Sequence, residues 1–207
     1  MEQFTTEEQQ VEAIKKFWKD NGIAIILGAV LGFGGLWGWR YYNAELLASQ
    51  EQASDAYQNA VDDLGKEDAA FSSVKTFVSE NSDSPYAFMA SFKLAKEAIE
   101  REDLSEAAKQ LTWITQSNAN SAIKDVALLR LARVQMEQEK FADAFAELNT
   151  ISSSSFNAQI DEVKGDIYQR QGKMDEALEA YTAALEDAGN NPVLQMKLDD
   201  LTSQKQG

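Results

Sequence analysis

The chain of 207 residues contains no cysteine and no histidine. Without cysteine it can form no disulfide, no thiol nucleophile and no cysteine-ligated zinc, iron–sulfur or c-type haem site. Without histidine it lacks the side chain whose unperturbed pKa lies near neutrality, which excludes Ser-His-Asp and Cys-His catalysis. These two absences remove the commonest catalytic and metal-binding chemistries.

Proline and basic charge are also scarce. There are two prolines and eleven glycines. The 19 Lys and Arg residues are outnumbered by 34 Asp and Glu residues, which gives a net charge of -15. Residues 1–40 carry four basic and five acidic side chains, so almost all of the acid excess belongs to residues 41–207. Phosphate binding needs clustered Lys and Arg, so the sequence predicts no nucleic-acid partner. The remainder is rich in Ala, Leu, Glu, Gln and Lys, which favour an all-α fold.

One long apolar run, "GIAIILGAVLGFGGLWGW", occupies residues 22–39 without a charge. As a helix it covers about 27 Å, close to the roughly 30 Å of a bilayer's hydrocarbon core. Soluble core helices rarely run this long without a charge. A cleavable signal has a short basic start and a small-residue end, whereas here about twenty residues, several of them acidic, precede the run and bulky aromatics follow it. The run therefore predicts an uncleaved transmembrane signal-anchor helix over residues 21–42.

Basic residues near the span predict its orientation. Lys15, Lys16 and Lys19 precede the run, whereas only Arg40 follows it closely and the next base is Lys66. Basic flanks remain on the cytoplasmic side of a membrane. We therefore expect an amphipathic cytoplasmic tail at residues 1–20 and, in the inner membrane of a bacterium, a periplasmic domain at residues 43–207.

Glycines inside the span suggest a contact with another membrane helix. They form two small-xxx-small pairs, a spacing that lets helix backbones approach closely. Glycine is also simply common in membrane helices, which leaves both interpretations open. The candidate helix-packing residues are Gly28, Gly32, Gly34 and Gly38.

The region after residue 43 reads as helices of roughly 12–18 residues separated by short breaks, which calls for a repeat search. Residues 164–192, "KGDIYQRQGKMDEALEAYTAALEDAGNNP", carry small and large residues at the spacing of the tetratricopeptide repeat (TPR), namely Gly165, Tyr168, Gly172, Ala177, Tyr181 and Ala184. A weaker copy lies 33 residues earlier and another 37 residues before that. The predicted fold class is therefore all-α, a single transmembrane helix followed by a TPR-like helical-repeat solenoid. Helices before Pro85, at residues 55–64 and 69–80, and a helix at residues 193–201 would cap the array.

A TPR stack presents a concave groove lined mainly by the first helix of each pair. Projecting the repeat spacing gives twelve candidate groove residues, and most of those from the first two pairs are apolar, which suits adaptable recognition. The alternative is that some of these positions pack beneath the capping helices. The candidates are Met89, Phe92, Lys96, Ile99, Val126, Leu129, Arg133, Met136, Gln159, Glu162, Asp166 and Gln169.

No catalytic constellation is visible in the sequence. The acidic doublets have no EF-hand spacing, and there is neither a phosphate-binding P-loop nor a G-x-G-x-x-G motif. We expect no catalytic residue, no cofactor and no metal ion, and hence a protein that is not an enzyme.

Several stretches together resemble a known family. "QVEAIKKFWKDNG", the glycine-rich span, "GWRYYN", "AYQNAV" and "LRLARVQ" are similar to the YfgM family of ancillary subunits of the bacterial SecYEG translocon. The resemblance covers essentially the whole chain and is densest in residues 10–60. It implies a single-span inner-membrane protein with a TPR-like periplasmic domain. It also implies association with the SecYEG translocon and with the membrane-anchored chaperone PpiD, helping exported proteins pass from the channel exit to periplasmic chaperones.

Two other functions fit the same pattern. The chain could be a membrane-anchored regulator of envelope-stress signalling that acts through its cytoplasmic tail, or a plain structural scaffold. Whether exported client proteins bind directly is also open at this point.

Overall fold

The computed structural model describes residues 7–66 and 68–206. Nine α-helices and one short 3-10 helix, Ser154–Phe156, account for nearly all of these described residues. The helices are α1 Glu7–Val61, α2 Asp68–Glu80, α3 Pro85–Glu100, α4 Leu104–Gln116, α5 Ser121–Glu137, α6 Phe141–Thr150, α7 Asn157–Arg170, α8 Met174–Ala188 and α9 Pro192–Gln206.

The first helix is longer than the sequence predicts. α1 runs for 55 residues without interruption, so the expected separate helix at residues 55–64 is wrong. The residues after the span offer no proline or glycine until Gly65, and Ala, Glu, Leu and Gln propagate a helix well. By its internal contacts the chain divides into residues 1–52 and residues 53–207.

Three helix pairs form the repeat array, α3 with α4, α5 with α6 and α7 with α8. Each pair is joined by three residues, and the middle residue is in the left-handed region in all three, at Glu102 (φ 62°), Glu139 (φ 59°) and Gly172 (φ 74°). This conformation costs a non-glycine residue roughly 1–2 kcal/mol and closes a helix by bonding its last carbonyls. Its recurrence at offsets of 37 and 33 residues confirms the predicted repeat register.

Small residues allow the paired helices to touch. Ala107, Ala144 and Ala177, at equivalent positions of the second helices, are all fully buried. One turn later Leu111, Leu148 and Tyr181 are at most 1% exposed and fill the space between the helices. These six residues alternate small with large, as the repeat predicts.

The repeat array is capped at both ends. At the N-terminal side Tyr57 packs with Val74, Phe77 and Leu94 in a cluster of buried residues. At the C-terminal side α9 buries two leucines, Leu194 and Leu201, each 1% exposed, against α8. The sequence predicted this terminal helix, and the structure confirms it.

Side-chain caps fix where the helices begin. The Ser84 hydroxyl accepts from the backbone N–H of Tyr86, and Pro85 occupies the first turn of α3. The Asp103 carboxylate accepts from the backbone N–H of Glu106 at 2.9 Å at the start of α4. Each cap satisfies an amide that the helix itself leaves unpaired.

Candidate functional site

The apolar run of α1 is exposed. Within the described residues α1 is the one helix that is long and apolar enough to cross a membrane, and 6% of its apolar window is buried. Ile23, Leu31 and Phe33 are each at least 74% exposed. A core helix of a soluble protein would bury such side chains, so this exposed apolar surface fits a helix that crosses a membrane.

The four candidate glycines of the span are open to a partner. A Cβ atom added to any of them would meet nothing within 4 Å. Since successive residues of an α-helix are about 100° apart, Gly28 and Gly32 lie on one side of α1 while Gly34 and Gly38 lie on another. One straight partner helix would therefore pack on one pair of glycines, and the packing role of the four residues stays a prediction.

The tail ahead of the span carries an exposed apolar stripe. Val11, Ile14, Phe17 and Trp18 are each 50–60% exposed on one helical segment, and the last three help to line a shallow depression on its surface. Residues 1–6 of the expected tail, 1–20, lie outside the described residues. An exposed stripe beside Lys15, Lys16 and Lys19 suits a membrane surface or a partner protein.

In the repeat array, the candidate groove residues of α3 lie on its open side. Met89 is 50% and Ile99 is 45% exposed, Lys96 is exposed and Phe92 is half-buried. These four residues fall within an arc of about 80° at 100° per residue. The structure therefore brings them together on one helix face.

The candidates of α5 separate into two groups. Val126 is half-buried and Arg133 exposed, whereas Leu129 and Met136 are 6% and 7% exposed. The latter two pack in a core cluster with residues of α6 and α7 such as Val163. Leu129 and Met136 therefore stabilise the stack and do not line a surface, and they do so between the repeat pairs rather than beneath the capping helices.

The repeat spacing does not predict one further residue on the open side of α5, Arg130. The Arg130 guanidinium lies over the Phe92 ring with 4.7 Å between its Cζ atom and the ring centroid, which joins α5 to α3. Arg130 follows Val126 by one helical turn, so the i, i+4 spacing could have identified it. A cation stacked on an aromatic face keeps its charge while it shields the ring from water.

The candidates of α7 are held by the capping helix. The Lys197 ammonium donates to a Glu162 oxygen at 2.8 Å and to Asp166 Oδ1 at 2.7 Å. Tyr181 donates its hydroxyl proton to the same Asp166 oxygen at 2.7 Å, and its oxygen lies 3.0 Å from Gln169 Oε1. Gln159 is exposed. This end of the face is an internal polar network in which most hydrogen-bonding capacity is used.

The network shifts the pKa of two of its members. Burial lowers the pKa of Lys197, but the hydrogen bonds and charges of Asp166 and Glu162 outweigh burial and raise it above its ordinary value. Burial, followed by Asp166, also raises the pKa of Tyr181. Both groups therefore stay protonated at neutral pH and act as donors.

The described residues offer no metal site, because no group of three or more Asp or Glu side chains is arranged to hold an ion. The buried carboxylate of Asp125 has a structural role instead. Asp125, 4% exposed, accepts from the backbone N–H of Ser153 at 3.2 Å and so fixes the connection after α6.

Comparisons with known proteins agree with the repeat fold. A family model described as a tetratricopeptide repeat-like domain matches residues 15–203. The chain is 42% identical over 113 residues to a protein of Escherichia coli (strain K12) named "Ancillary SecYEG translocon subunit", a match that covers 54% of each chain. Proteins of the same name from Haemophilus influenzae and Aggregatibacter actinomycetemcomitans are 37% and 34% identical over 113 and 116 residues, covering 54% of this chain and 55% and 56% of theirs. The chain spans about half the length of the curated relatives it matches. These relatives confirm the resemblance to ancillary translocon subunits.

Proposed function

The chain belongs to the tetratricopeptide repeat-like family, whose model covers residues 15–203. From its similarity to proteins named as ancillary SecYEG translocon subunits, we propose that it is an ancillary subunit of the Sec protein translocon. It is anchored in the bacterial inner membrane by residues 21–42, with residues 1–20 in the cytoplasm and residues 43–207 in the periplasm. It acts by protein–protein interaction and not as an enzyme. Its partners are the SecYEG translocon and a PpiD-like periplasmic chaperone, and its role is to assist the transfer of exported proteins from the channel exit.

The exposed span carries this proposal. The 6% burial of the apolar window argues against a core helix, and the aromatic residues at both its ends, such as Trp18 and Trp39, suit the two membrane interfaces. Basic residues cluster on the N-terminal side of the span, which favours retention of the tail in the cytoplasm. The relatives named as translocon subunits point to the membrane partner.

The acidic repeat array supports the second half of the proposal. Anionic lipid headgroups repel a strongly acidic domain, which leaves the surfaces of the array free for proteins. The array presents no catalytic constellation, and repeat solenoids of this kind offer extended binding surfaces. A membrane-tethered solenoid could therefore present a docking surface to a chaperone or an emerging chain.

The orientation can be tested by labelling single cysteines, because the natural chain has none. Two variants place a thiol at exposed positions, Gln10→Cys in the tail and Ser82→Cys in the array. A membrane-impermeant maleimide applied to spheroplasts should label Ser82→Cys at once and Gln10→Cys only after lysis. The reverse order would place the array in the cytoplasm and remove the proposed role.

Association with the translocon can be tested by purification from membranes. The tagged full chain, extracted in mild detergent, should recover SecYEG subunits, and a control with an unrelated single span in place of residues 21–42 should recover fewer. Deleting residues 2–12 separates the proposal from its rival, the regulator. Altered envelope-stress signalling with intact SecYEG recovery would favour the regulator over the translocon subunit.

A further inference from the structure

The open side of α3 and α5 has a charge unlike that of the rest of the array. In a chain of net charge -15, its exposed basic side chains are Lys93, Lys96, Arg130 and Arg133. The exposed acidic residues of the same two helix faces are Glu100 and Glu137.

Those two carboxylates are already neutralised by basic partners. Glu100 forms an ion pair with Lys96 one turn earlier on α3, and Glu137 forms one with Arg170 of α7. Arg133 has no ion-pair partner among the described residues. The Arg130 charge lies on the Phe92 ring rather than on a carboxylate. The face therefore has unpaired positive charge beside apolar side chains.

Geometry places these groups next to one another. Val126, Arg130, Arg133 and Glu137 fall within an arc of about 60° on α5 at 100° per residue. The Arg130–Phe92 stack joins this arc to the arc of α3 that carries Met89, Phe92, Lys96 and Ile99. The two arcs form one surface, which we call the α3–α5 face.

We propose that the α3–α5 face binds a partner-protein segment that carries both acidic and apolar side chains. The inference deepens the proposed translocon role, on which it rests, by naming the chemistry of the partner. Met89 and Ile99, about half exposed, receive the apolar side chains, and Arg133 and Arg130 receive the carboxylates. Methionine adapts its shape to irregular apolar partners, and the arginine fork matches a carboxylate in two hydrogen bonds.

Charge argues against the other occupants. A second copy of the chain would bring two bodies of the same strong negative charge together, which repel each other. A basic segment would meet Arg133 and Arg130 directly, and like charges in an interface suppress a wrong partner. Anionic lipid could satisfy the basic residues, but an extended charged surface would also meet the acidic remainder of the array, whereas a short segment meets the α3–α5 face alone.

Defined peptides test the proposal on the full chain held in nanodiscs of zwitterionic lipid. Three fluorescent peptides of equal length are compared by anisotropy, one built on Leu and Glu, one on Leu and Lys and one on Ser and Glu. The first should bind more tightly than the other two by about tenfold or more. Its affinity should fall as salt rises from about 0.01 M to about 0.1 M, which shortens the Debye length from about 30 Å to about 10 Å.

Charge-reversal variants locate the binding surface. Lys96→Glu combined with Arg133→Glu should weaken the Leu–Glu peptide about tenfold or more. The matched control, Lys109→Glu with Lys140→Glu, makes the same change in net charge at exposed positions of α4 and of the connection before α6 and should leave affinity unchanged. Met89→Ser with Ile99→Ser should weaken binding without changing its salt dependence. Circular dichroism verifies that each variant is folded.

Three results would overturn the proposal. They are equal binding of the Leu–Lys peptide, unchanged affinity in the Lys96–Arg133 variant, or a dimer that this variant dissociates while no peptide binds, which would assign the face to a second copy. The outcome is separate from the translocon role. SecYEG recovery with no peptide binding refutes the partner chemistry alone, whereas peptide binding without SecYEG recovery refutes the translocon role alone.

Discussion

Substituting Gly165 tests whether the third repeat is built as described. A Cβ atom at this position would lie 2.5 Å from two carbons of the Tyr181 ring, well inside van der Waals contact. Alanine favours an α-helix over glycine by about 0.8–1.0 kcal/mol, whereas overpacking a core typically costs about 1–3 kcal/mol. Because Tyr181 is fully buried and its hydroxyl is held by Asp166, the ring has little freedom to move.

We therefore expect Gly165→Ala to lower the free energy of unfolding by up to about 2 kcal/mol, or up to roughly 8 °C in Tm for a domain of this size. Urea unfolding of the full chain in detergent, followed by circular dichroism, measures it. In the preceding repeat the positions equivalent to Gly165 and Tyr181 hold Ala132 and Leu148, so an alanine can pack there against the smaller leucine. Adding Tyr181→Leu to Gly165→Ala should thus cost less than the sum of the two single changes.

An exposed helix position supplies the control. Ala146→Gly, on the open side of α6, should report helix propensity alone and cost about 1 kcal/mol. If Gly165→Ala were more stable than the natural chain, the gain in helix propensity would outweigh any overpacking, and residue 165 would not lie close to the Tyr181 ring. That result would refute the repeat packing.

Two further predictions concern ionic contacts of the array. The hydrogen bond from Lys75, at 2.8 Å, lowers the pKa of Glu106 below its ordinary 4.5, so its stabilisation is complete above that pH and is lost as pH falls further. Unfolding free energy should therefore drop more steeply below about pH 4.5 in the natural chain than in Glu106→Gln, and parallel curves would contradict this. Lys197→Met leaves Glu162 and Asp166 facing each other and should cost about 1–2 kcal/mol in urea unfolding. Adding Asp166→Asn should recover part of that loss, and no recovery would show that repulsion between the carboxylates is not the cause.

The repeat register could be predicted because it depends on local steric requirements. Small residues must stand where paired helices touch, so Ala144 and Ala177 identify the pairs from the sequence alone. The connections after α3, α5 and α7 each contain one residue in the left-handed region. Gly172 indicates such a position from the sequence, whereas Glu102 and Glu139 do not, because only glycine adopts this conformation without a steric cost.

Other features depended on long-range packing that spacing does not reveal. Leu129 and Met136 share the helical period of the open face but turn toward α7, because α5 is packed on both sides. Lys197 reaches Glu162 across 35 positions in sequence, and no local pattern predicts such a contact. The uninterrupted α1 is not apparent from the sequence, because the apolar run and the polar residues after it differ in composition although both favour a helix.

If the chain presents the α3–α5 face to partners at the translocon, residues of that face should crosslink to those partners in cells. A photoreactive residue is placed at Met89 or Lys96 on the α3–α5 face and, as a control, at Glu179 on the exposed side of α8. We expect Met89 and Lys96 to form adducts with a translocon subunit, a periplasmic chaperone or an exported chain, and Glu179 to form few. No such adduct at Met89 or Lys96, or equal adducts at all three positions, would show that the face does not bind these partners.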